Sequence, residues 1–168
     1  MGYGIIRITG NRPELLTLGI LKLAKISDHA IKLRRIFERT RTLIEEYHPD
    51  ELVLEAPFYG KNIQSMLKLG RAQGVAMAAG LTRDIPIFEY SPRKIKQAIT
   101  GNGNSSKHQV SGMVQKLLNY TEDPQYLDAT DGLATALCHY LQRNTSQAKG
   151  NSYSGWKSFI SNNPGRVK

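Results

Sequence analysis

Cysteine is almost absent from this sequence, because Cys138 is the only one among 168 residues. A single cysteine cannot form an internal disulfide, and the apolar helical context of Cys138 predicts a buried thiol. No apolar run approaches the roughly 20 residues that a membrane-spanning helix needs, and no signal peptide precedes the first polar residues. We therefore expect a cytoplasmic protein with no membrane partner.

Acidic residues are also scarce. There are 14 Asp and Glu residues against 23 Lys and Arg, which gives a formal net charge of +9. Such a surplus favours nucleic acid or another polyanion as a partner, through counterion release and electrostatic steering. A basic surface without a ligand is the alternative. The length and the apolar content of 40% fit one domain with a real core.

The order of predicted elements indicates an α/β fold. Residues 1–8 and 13–21 are expected to form an antiparallel hairpin around the turn at Gly10-Asn11. Asp28 is a candidate N-cap of the first helix, and Ser91-Pro92 is a typical start for a later one. Helical patterns cover residues 30–47, 63–81, 92–99 and 107–118 and resume at Leu127, and short strands are predicted over residues 52–54 and 85–90.

The predicted helix over residues 63–81 has a face of small residues that includes Gly70 and Gly74. The basic residues Lys68 and Arg71 exclude a membrane dimer of the Gly-xxx-Gly type. Two explanations remain open for this face. It packs tightly inside the domain, or it forms an interface between subunits.

Glu55 lies where the apolar strand Leu52-Val53-Leu54 ends. A carboxylate in that position is held rigidly, while its head faces the loops where ligands bind in open α/β sheets. The aromatic pair Phe58-Tyr59 and the basic Lys61 follow directly. One acid beside a positively charged, aromatic loop indicates a metal-dependent site that faces a polyanion.

Asp128 and Asp131 are three residues apart, so their carboxylates point to the same side of a helix. Capping of the helix N-terminus explains one of them. Two repel each other unless a cation lies between them, which favours a ligand role. Magnesium prefers such oxygen ligands, and two ions can activate water and stabilise the leaving oxygen in phosphodiester cleavage. The four histidines show no paired metal-ligand spacing, and there is no serine nucleophile motif or P-loop.

Between Glu89 and Glu122 the sequence contains no acid. Lys96 and Lys107 flank the loop Gly101–Ser106, which is expected to be flexible and is a sensible place for phosphate contacts. Solvated surface lysines are the alternative. We predict a domain over residues 1–142 and a basic, flexible tail over residues 143–168, in which Trp156 and Phe159 could pack on the domain or on a base.

Three blocks of the sequence, LEAPFYGKNIQSMLKLGRAQGVAMAAG, FEYSPRKIKQAITGNGNSSKHQV and LDATDGLATALCHY, resemble successive blocks of the RuvC family of Holliday junction resolvases. The resemblance runs from Gly2 to about His139. It implies an RNase H-like fold with a mixed sheet flanked by helices, and a homodimer that works with the branch-migration proteins RuvA and RuvB. The implied activity is magnesium-dependent, paired nicking of four-way DNA junctions in recombination and repair.

The resemblance also implies roles for individual residues. Glu55, Asp128 and Asp131 match catalytic metal ligands, and the resemblance implies two Mg²⁺ ions that Mn²⁺ can replace. Phe58 matches an aromatic residue that stacks on bases near the junction centre. Lys96 and Lys107 match basic residues that contact DNA near the cut, and Tyr59 and Lys61 are expected beside them on the DNA.

One segment of the family pattern is missing. In the family a further acidic ligand lies in a Gly-Ile-Asp-Pro-Gly segment that ends the first strand, just ahead of the Gly-Tyr-Gly found here at residues 2–4. We therefore expect the chain to lack one ligand and a central strand, with open backbone edges in their place. We interpret Met1 as an internal methionine of a longer reading frame, which the upstream codons would test.

Three functions follow from these observations. The first is a junction-resolving endonuclease with a carboxylate-bound metal. The second is a DNA-binding module that holds junctions without cutting, because one acid is absent. The third is a metal-dependent nuclease acting on RNA–DNA hybrids, which shares the fold but is opposed by the three sequence blocks.

Overall fold

The computed structural model describes residues 1–57, 62–121 and 127–148. Three of the predicted DNA-binding residues, Phe58, Tyr59 and Lys61, lie outside these ranges. So do Trp156, Phe159 and the remainder of the predicted tail beyond residue 148.

The first two strands form the predicted antiparallel hairpin. Strand β1 (Gly2–Thr9) pairs with β2 (Arg12–Ile20), and Gly10 takes a left-handed φ of 62° in the turn between them. Glycine accepts this conformation without the steric penalty that a side chain would bring. A bulge between Ile5 and Ile6 shifts the register of the hairpin.

The second strand pair is parallel. Strand β3 (Leu52–Glu55) pairs with β4 (Ile87–Tyr90), with Leu52 opposite Ile87 and Glu55 opposite Tyr90. Strand β4 begins two residues later than predicted. Pro86 has no N–H to donate to a ladder, and only its carbonyl takes part, by accepting the Leu52 N–H at 2.9 Å.

Five helices are described around these strands. Helix α1 (His29–Tyr47) begins at Asp28, whose side chain accepts the Ile31 N–H at 3.1 Å, as predicted. The others are α2 (Ile63–Leu81), α3 (Pro92–Thr100), α4 (Lys107–Leu118) and α5 (Leu127–Ala148). The predicted RNase H-like arrangement, antiparallel and parallel strands flanked by helices, is confirmed. No helix within the described ranges has the length and apolar character needed to cross a bilayer.

Within the described residues the two strand pairs form separate two-stranded sheets. A cleft of about 920 Å³ is lined by both β1 and β3, and also by residues of α1, α2 and α5. Met1 and Leu21 exchange both backbone hydrogen bonds, so Gly2 and Gly4 turn their backbone groups away from β2. Leu52 and Ala56 bond to the β4 side, so Val53 turns its backbone groups away from β4. Both strands therefore present an edge without a strand partner among the described residues.

The main core lies where α3, α4 and α5 meet the first sheet. Val114, Leu133 and Cys138 have no exposed surface, and Leu137 has 1%. Burial raises the pKa of the Cys138 thiol to about 11, which confirms the predicted buried thiol. Helix α5 also approaches β1 so closely that a Cβ at Gly132 would lie 2.8 Å from the backbone of Tyr3. Only glycine permits this contact between a helix and a strand.

Two sequence expectations are corrected by the structure. Gly70 and Gly74 face open space, whereas Ala76 and Ala79 of the same helix are buried, so the small residues of α2 pack inside the domain only toward its C-terminal end. The loop over residues 101–106 is closed by hydrogen bonds, including Gln97 Nε2 to Gly101 O at 2.6 Å and Gly103 N to Gln97 Oε1 at 3.0 Å. Helix α5 extends as far as Ala148, and the predicted domain boundary at residue 142 stays a prediction.

Candidate active site

The end of strand β3 directs Glu55 toward helix α5. Glu55 is paired with Tyr90 and Val53 with Phe88, and paired residues of neighbouring strands project from the same face of a sheet. Phe88 and Tyr90 both contact the ring of His139 on α5, with ring centroids 4.3 and 5.7 Å apart. The Glu55 side chain therefore lies on the α5 side of the strand pair. Its backbone carbonyl accepts a 2.6 Å hydrogen bond from Gln73 Nε2, which ties the strand end to α2.

The two aspartates of α5 share one cation. Lys107 Nζ lies 3.2 Å from Asp128 Oδ1 and 2.8 Å from Asp131 Oδ2. All three side chains are substantially exposed, so these ion pairs are open to solvent and weak as stabilising contacts. Their significance is geometric, because the structure places a positive charge at the point where the sequence predicts a cation between the two carboxylates.

The first turn of α4 positions Lys107. Ser106 caps this helix by accepting the Gln109 N–H, and the Gln109 side chain accepts the Ser106 N–H at 2.8 Å. This reciprocal capping box fixes where the helix begins. Lys107 is the first helical residue, and its pKa is raised chiefly by the hydrogen bond to Asp131. The ammonium group therefore stays charged when the aspartates are ionised.

Glu55 belongs to the same electrostatic cluster. Although much of the residue is open to solvent, the cleft partly desolvates its carboxyl group, and this is the main reason that its pKa is raised. The charge of Asp131 raises the pKa further, whereas Lys107 and Lys96 lower it. Four of the predicted residues, from β3, α3, α4 and α5, thus act on one another here.

The donor set of this cluster fits a hard divalent cation, because Glu55, Asp128 and Asp131 offer only carboxylate oxygens. In the arrangement described, Lys107 holds the position between the aspartates. Across residues 1–57, 62–121 and 127–148, no three side chains of the His, Cys, Asp or Glu types are close enough together to hold a metal as they stand. A metal would have to draw Glu55 and the aspartates together and displace the ammonium group.

The structure contains a polar network around the buried His139 side chain that the sequence did not reveal. Tyr90 Oη lies 2.8 Å from His139 Nδ1, and His139 Nε2 lies 2.9 Å from Glu51 Oε2. Arg143 bonds to the other oxygen of Glu51 at 2.5 Å. Glu51 and His139 are 88 positions apart, so no local spacing connects them. The only available signal was a histidine on the otherwise apolar side of a helix.

A model of the family "Crossover junction endodeoxyribonuclease RuvC" matches residues 1–139, the same stretch that contains Glu55, Lys107 and the two aspartates. The chain belongs to the RuvC family. The RuvC protein of Bacteroides fragilis is 60% identical over 171 residues, which cover all of this chain and 90% of the relative. That of Porphyromonas gingivalis is 54% identical over 172 residues, covering all of this chain and 91% of the relative.

Two solved RuvC structures from Thermus thermophilus have the same fold. One is described as the RuvC structure, with a TM-score of 0.77 and 26% identity over 86% of this chain and 89% of that one. The other is described as RuvC in complex with a Holliday junction substrate, with a TM-score of 0.77 and 25% identity over 86% and 88% of the two chains. The resemblance identified from the three sequence blocks is therefore confirmed.

Proposed function

We propose that this RuvC-family chain is a divalent-metal-dependent endonuclease that nicks four-way DNA junctions symmetrically during recombination and repair. The observation that carries the proposal is that the Lys107 ammonium group lies between the carboxylates of Asp128 and Asp131, and that Asp131 acts on Glu55. Membership of an endonuclease family over most of the chain supports the same conclusion.

Glu55, Asp128 and Asp131 would hold the metal, and Mg²⁺ is the ion that their oxygens fit, with Mn²⁺ as a substitute. When bound, two such ions supply an activated water and stabilisation of the leaving oxygen. The protein's own residues fix the geometry, with Glu55 set by the strand end and its bond to Gln73. Lys96 and Lys107 add positive charge where a DNA phosphate would approach.

The DNA surface would extend from this cluster. Lys96 and Lys107 lie beside the carboxylates and would contact the backbone near the cut. Phe58, Tyr59 and Lys61 follow Glu55 directly in the sequence, and we assign base stacking to Phe58 and nearby contacts to the other two. The domain would comprise residues 1–142, with the basic segment over residues 143–168 as an additional attachment to DNA.

A homodimer would place two such sites on one junction, as symmetric nicking requires. Helix α2 offers a surface for it, since one side of the helix combines apolar and small residues that are exposed in the single chain. These residues are Ile63, Leu67, Gly70, Gly74, Ala78 and Leu81. Exposed apolar stripes of this kind are typical of protein interfaces.

RuvA and RuvB would be the partners in branch migration, and the cytoplasm would be the location.

Incubation of a synthetic four-way junction with the chain and Mg²⁺ or Mn²⁺ tests this function. We expect paired nicks that Glu55→Gln reduces by more than about 100-fold, because it removes a ligand charge without changing the shape of the side chain. Glu46→Gln, an exposed acid on α1, is the matched control and should leave cleavage unchanged. An RNA–DNA hybrid serves as the competing substrate.

The main alternative is a module that binds junctions without cutting them. It is not favoured, because relatives that align with the whole chain are named as endonucleases. The same assay separates the two functions. A retarded band on a gel without nicks in either metal would reject the enzyme and support the module, and preferential cleavage of the hybrid would reject both.

A further inference from the structure

Helix α5 lies along strand β3 in the opposite direction, because Asp131 and Glu55 line the same cleft while His139 bonds to Glu51. At one end the charge of Asp131 acts on Glu55. At the other end His139 bonds to Glu51, the residue that precedes the strand. The eight residues from Asp131 to His139 rise about 12 Å in a helix, and the four from Glu51 to Glu55 span about 13 Å in a strand. The two lengths match.

The contacts of His139 are buried and specific. Its side chain is 7% exposed and lies against the Phe88 ring. A neutral imidazole satisfies both neighbours, because Nε2–H donates to the Glu51 carboxylate and Nδ1 accepts from the Tyr90 hydroxyl. Tyr90 is the strand partner of Glu55, so the network reaches the residue beside the candidate ligand.

A second attachment lies one helical turn further along α5. Arg143 bonds to the oxygen of Glu51 that His139 does not use. A slip of α5 by one turn, about 5.4 Å, would break both bonds and leave the buried His139 side chain without its Glu51 partner. The network therefore opposes sliding of the helix along the strand.

We propose that the His139–Glu51 bond, reinforced by Arg143, sets the register of α5 along β3 and so holds Asp131 opposite Glu55. His139 is then a positioning residue for the metal site, at a distance of two helical turns. This inference rests on the proposed metal-dependent function. Polar groups that orient ligands from outside the coordination shell typically change metal affinity by 10–100-fold when they are removed.

Titration of the full chain with Mn²⁺, in which the electron paramagnetic resonance signal reports free ion, tests the proposal without DNA. The principal variant is His139→Phe, which keeps a ring against Phe88 and loses both hydrogen bonds. We expect its Kd for Mn²⁺ to rise about tenfold. His139→Gln, which retains a donor for Glu51, should recover part of the loss. In junction cleavage at saturating metal, kcat should fall while KM for the junction stays the same.

Cys138→Ala is the matched control, because Cys138 is the neighbouring core residue and takes no part in the network. It lowers stability by removing core volume but should leave the Kd for Mn²⁺ unchanged. Arg143→Leu is a second network variant for the case that His139→Phe does not fold, because the Arg143 side chain is 57% exposed and its replacement disturbs no core packing. It should weaken Mn²⁺ binding by roughly threefold, less than the loss of the whole network.

The outcomes separate this inference from the function on which it rests. Asp131→Asn should remove Mn²⁺ binding, and if the unmodified chain binds no Mn²⁺ the metal site and the register function are both rejected. If the unmodified chain binds Mn²⁺ and both network variants bind it equally well, the register function alone is rejected. A similar loss in Cys138→Ala would also reject it, because general destabilisation would then explain the effect.

Discussion

The two sides of helix α5 differ in how completely they are covered. On the side of α3 and α4, Val114, Leu133 and Cys138 are fully buried. On the side of the cleft, strand β3 is only half-buried, and Leu69 of α2, which also lines the cleft, is 47% exposed. The candidate site lies at this more open side. The stability of the fold and its chemistry therefore depend on different faces of one helix.

The open side has a structural cause. Strands β1 and β3 line the same cleft, and each has a hydrogen-bonded neighbour on one edge only among the described residues. The backbone groups of Gly4 and Val53 point away from those neighbours. Unpaired edges of this kind can accept a further strand.

The largest expected effect is the difference in free energy of unfolding between a leucine truncated to alanine on the packed side and one truncated on the cleft side. Leu133→Ala removes a fully buried side chain and should lower the free energy of unfolding by about 2–5 kcal/mol. Leu54→Ala, in half-buried strand β3, should lower it by about 1 kcal/mol, because part of its surface already contacts water. Urea unfolding with a common m-value measures both changes. Equal losses would mean that the cleft side is packed as tightly as the core.

A chain extended ahead of Met1 tests whether the cleft side can be packed by a further strand. An apolar strand that ends in the family's Gly-Ile-Asp-Pro-Gly segment should pair with both open edges and bury side chains against α1 and α5. A net gain of about 2 kcal/mol would raise Tm by about 4–8 °C in a chain of this length. Calorimetry measures the change.

The matched control for the extended chain carries the same segment with proline at two strand positions, which cannot donate to a ladder. It should show no gain in Tm. Amide exchange at Gly4 and Val53 should slow in the extended chain and not in the control. Similar exchange rates in both extended chains would show that the cleft does not take up a strand.

Much of the fold was predictable from local sequence. Helices α2 and α4 begin and end where the sequence indicates, because Asn62 and Ser106 cap them and the apolar spacing continues through both. The position of Glu55 at the end of β3 was also predictable, because the Ala56-Pro57 that follows it indicates the end of a strand. The start of β4 was misplaced because apolar character was given more weight than the missing N–H of Pro86.

The features that depend on distant pairing were not predictable in this way. Periodicity identified the apolar face of α5 but gave no indication that His139 on that face meets Glu51. It placed Gly70 and Gly74 on one side of α2 and could not tell whether that side meets the domain or open space. The shared cation was expected between Asp128 and Asp131, but Lys107 as its source comes from a helix that begins 21 positions earlier.

The smallest expected effect concerns the two ends of α4, one beside the cleft and one remote from it. Lys107 lies at the first helical position and contacts both aspartates, whereas Lys116 is exposed in the last turn. If Lys107 meets a DNA phosphate, Lys107→Ala should weaken junction binding and lower the slope of log affinity against log salt by about 1. Lys96→Ala should do the same. Lys116→Ala, about 14 Å further along the helix, should leave the slope unchanged. The measurement is junction affinity from 50 to 200 mM salt. If the slope of log affinity against log salt stays the same in Lys107→Ala, Lys107 contacts the carboxylates alone and not the DNA.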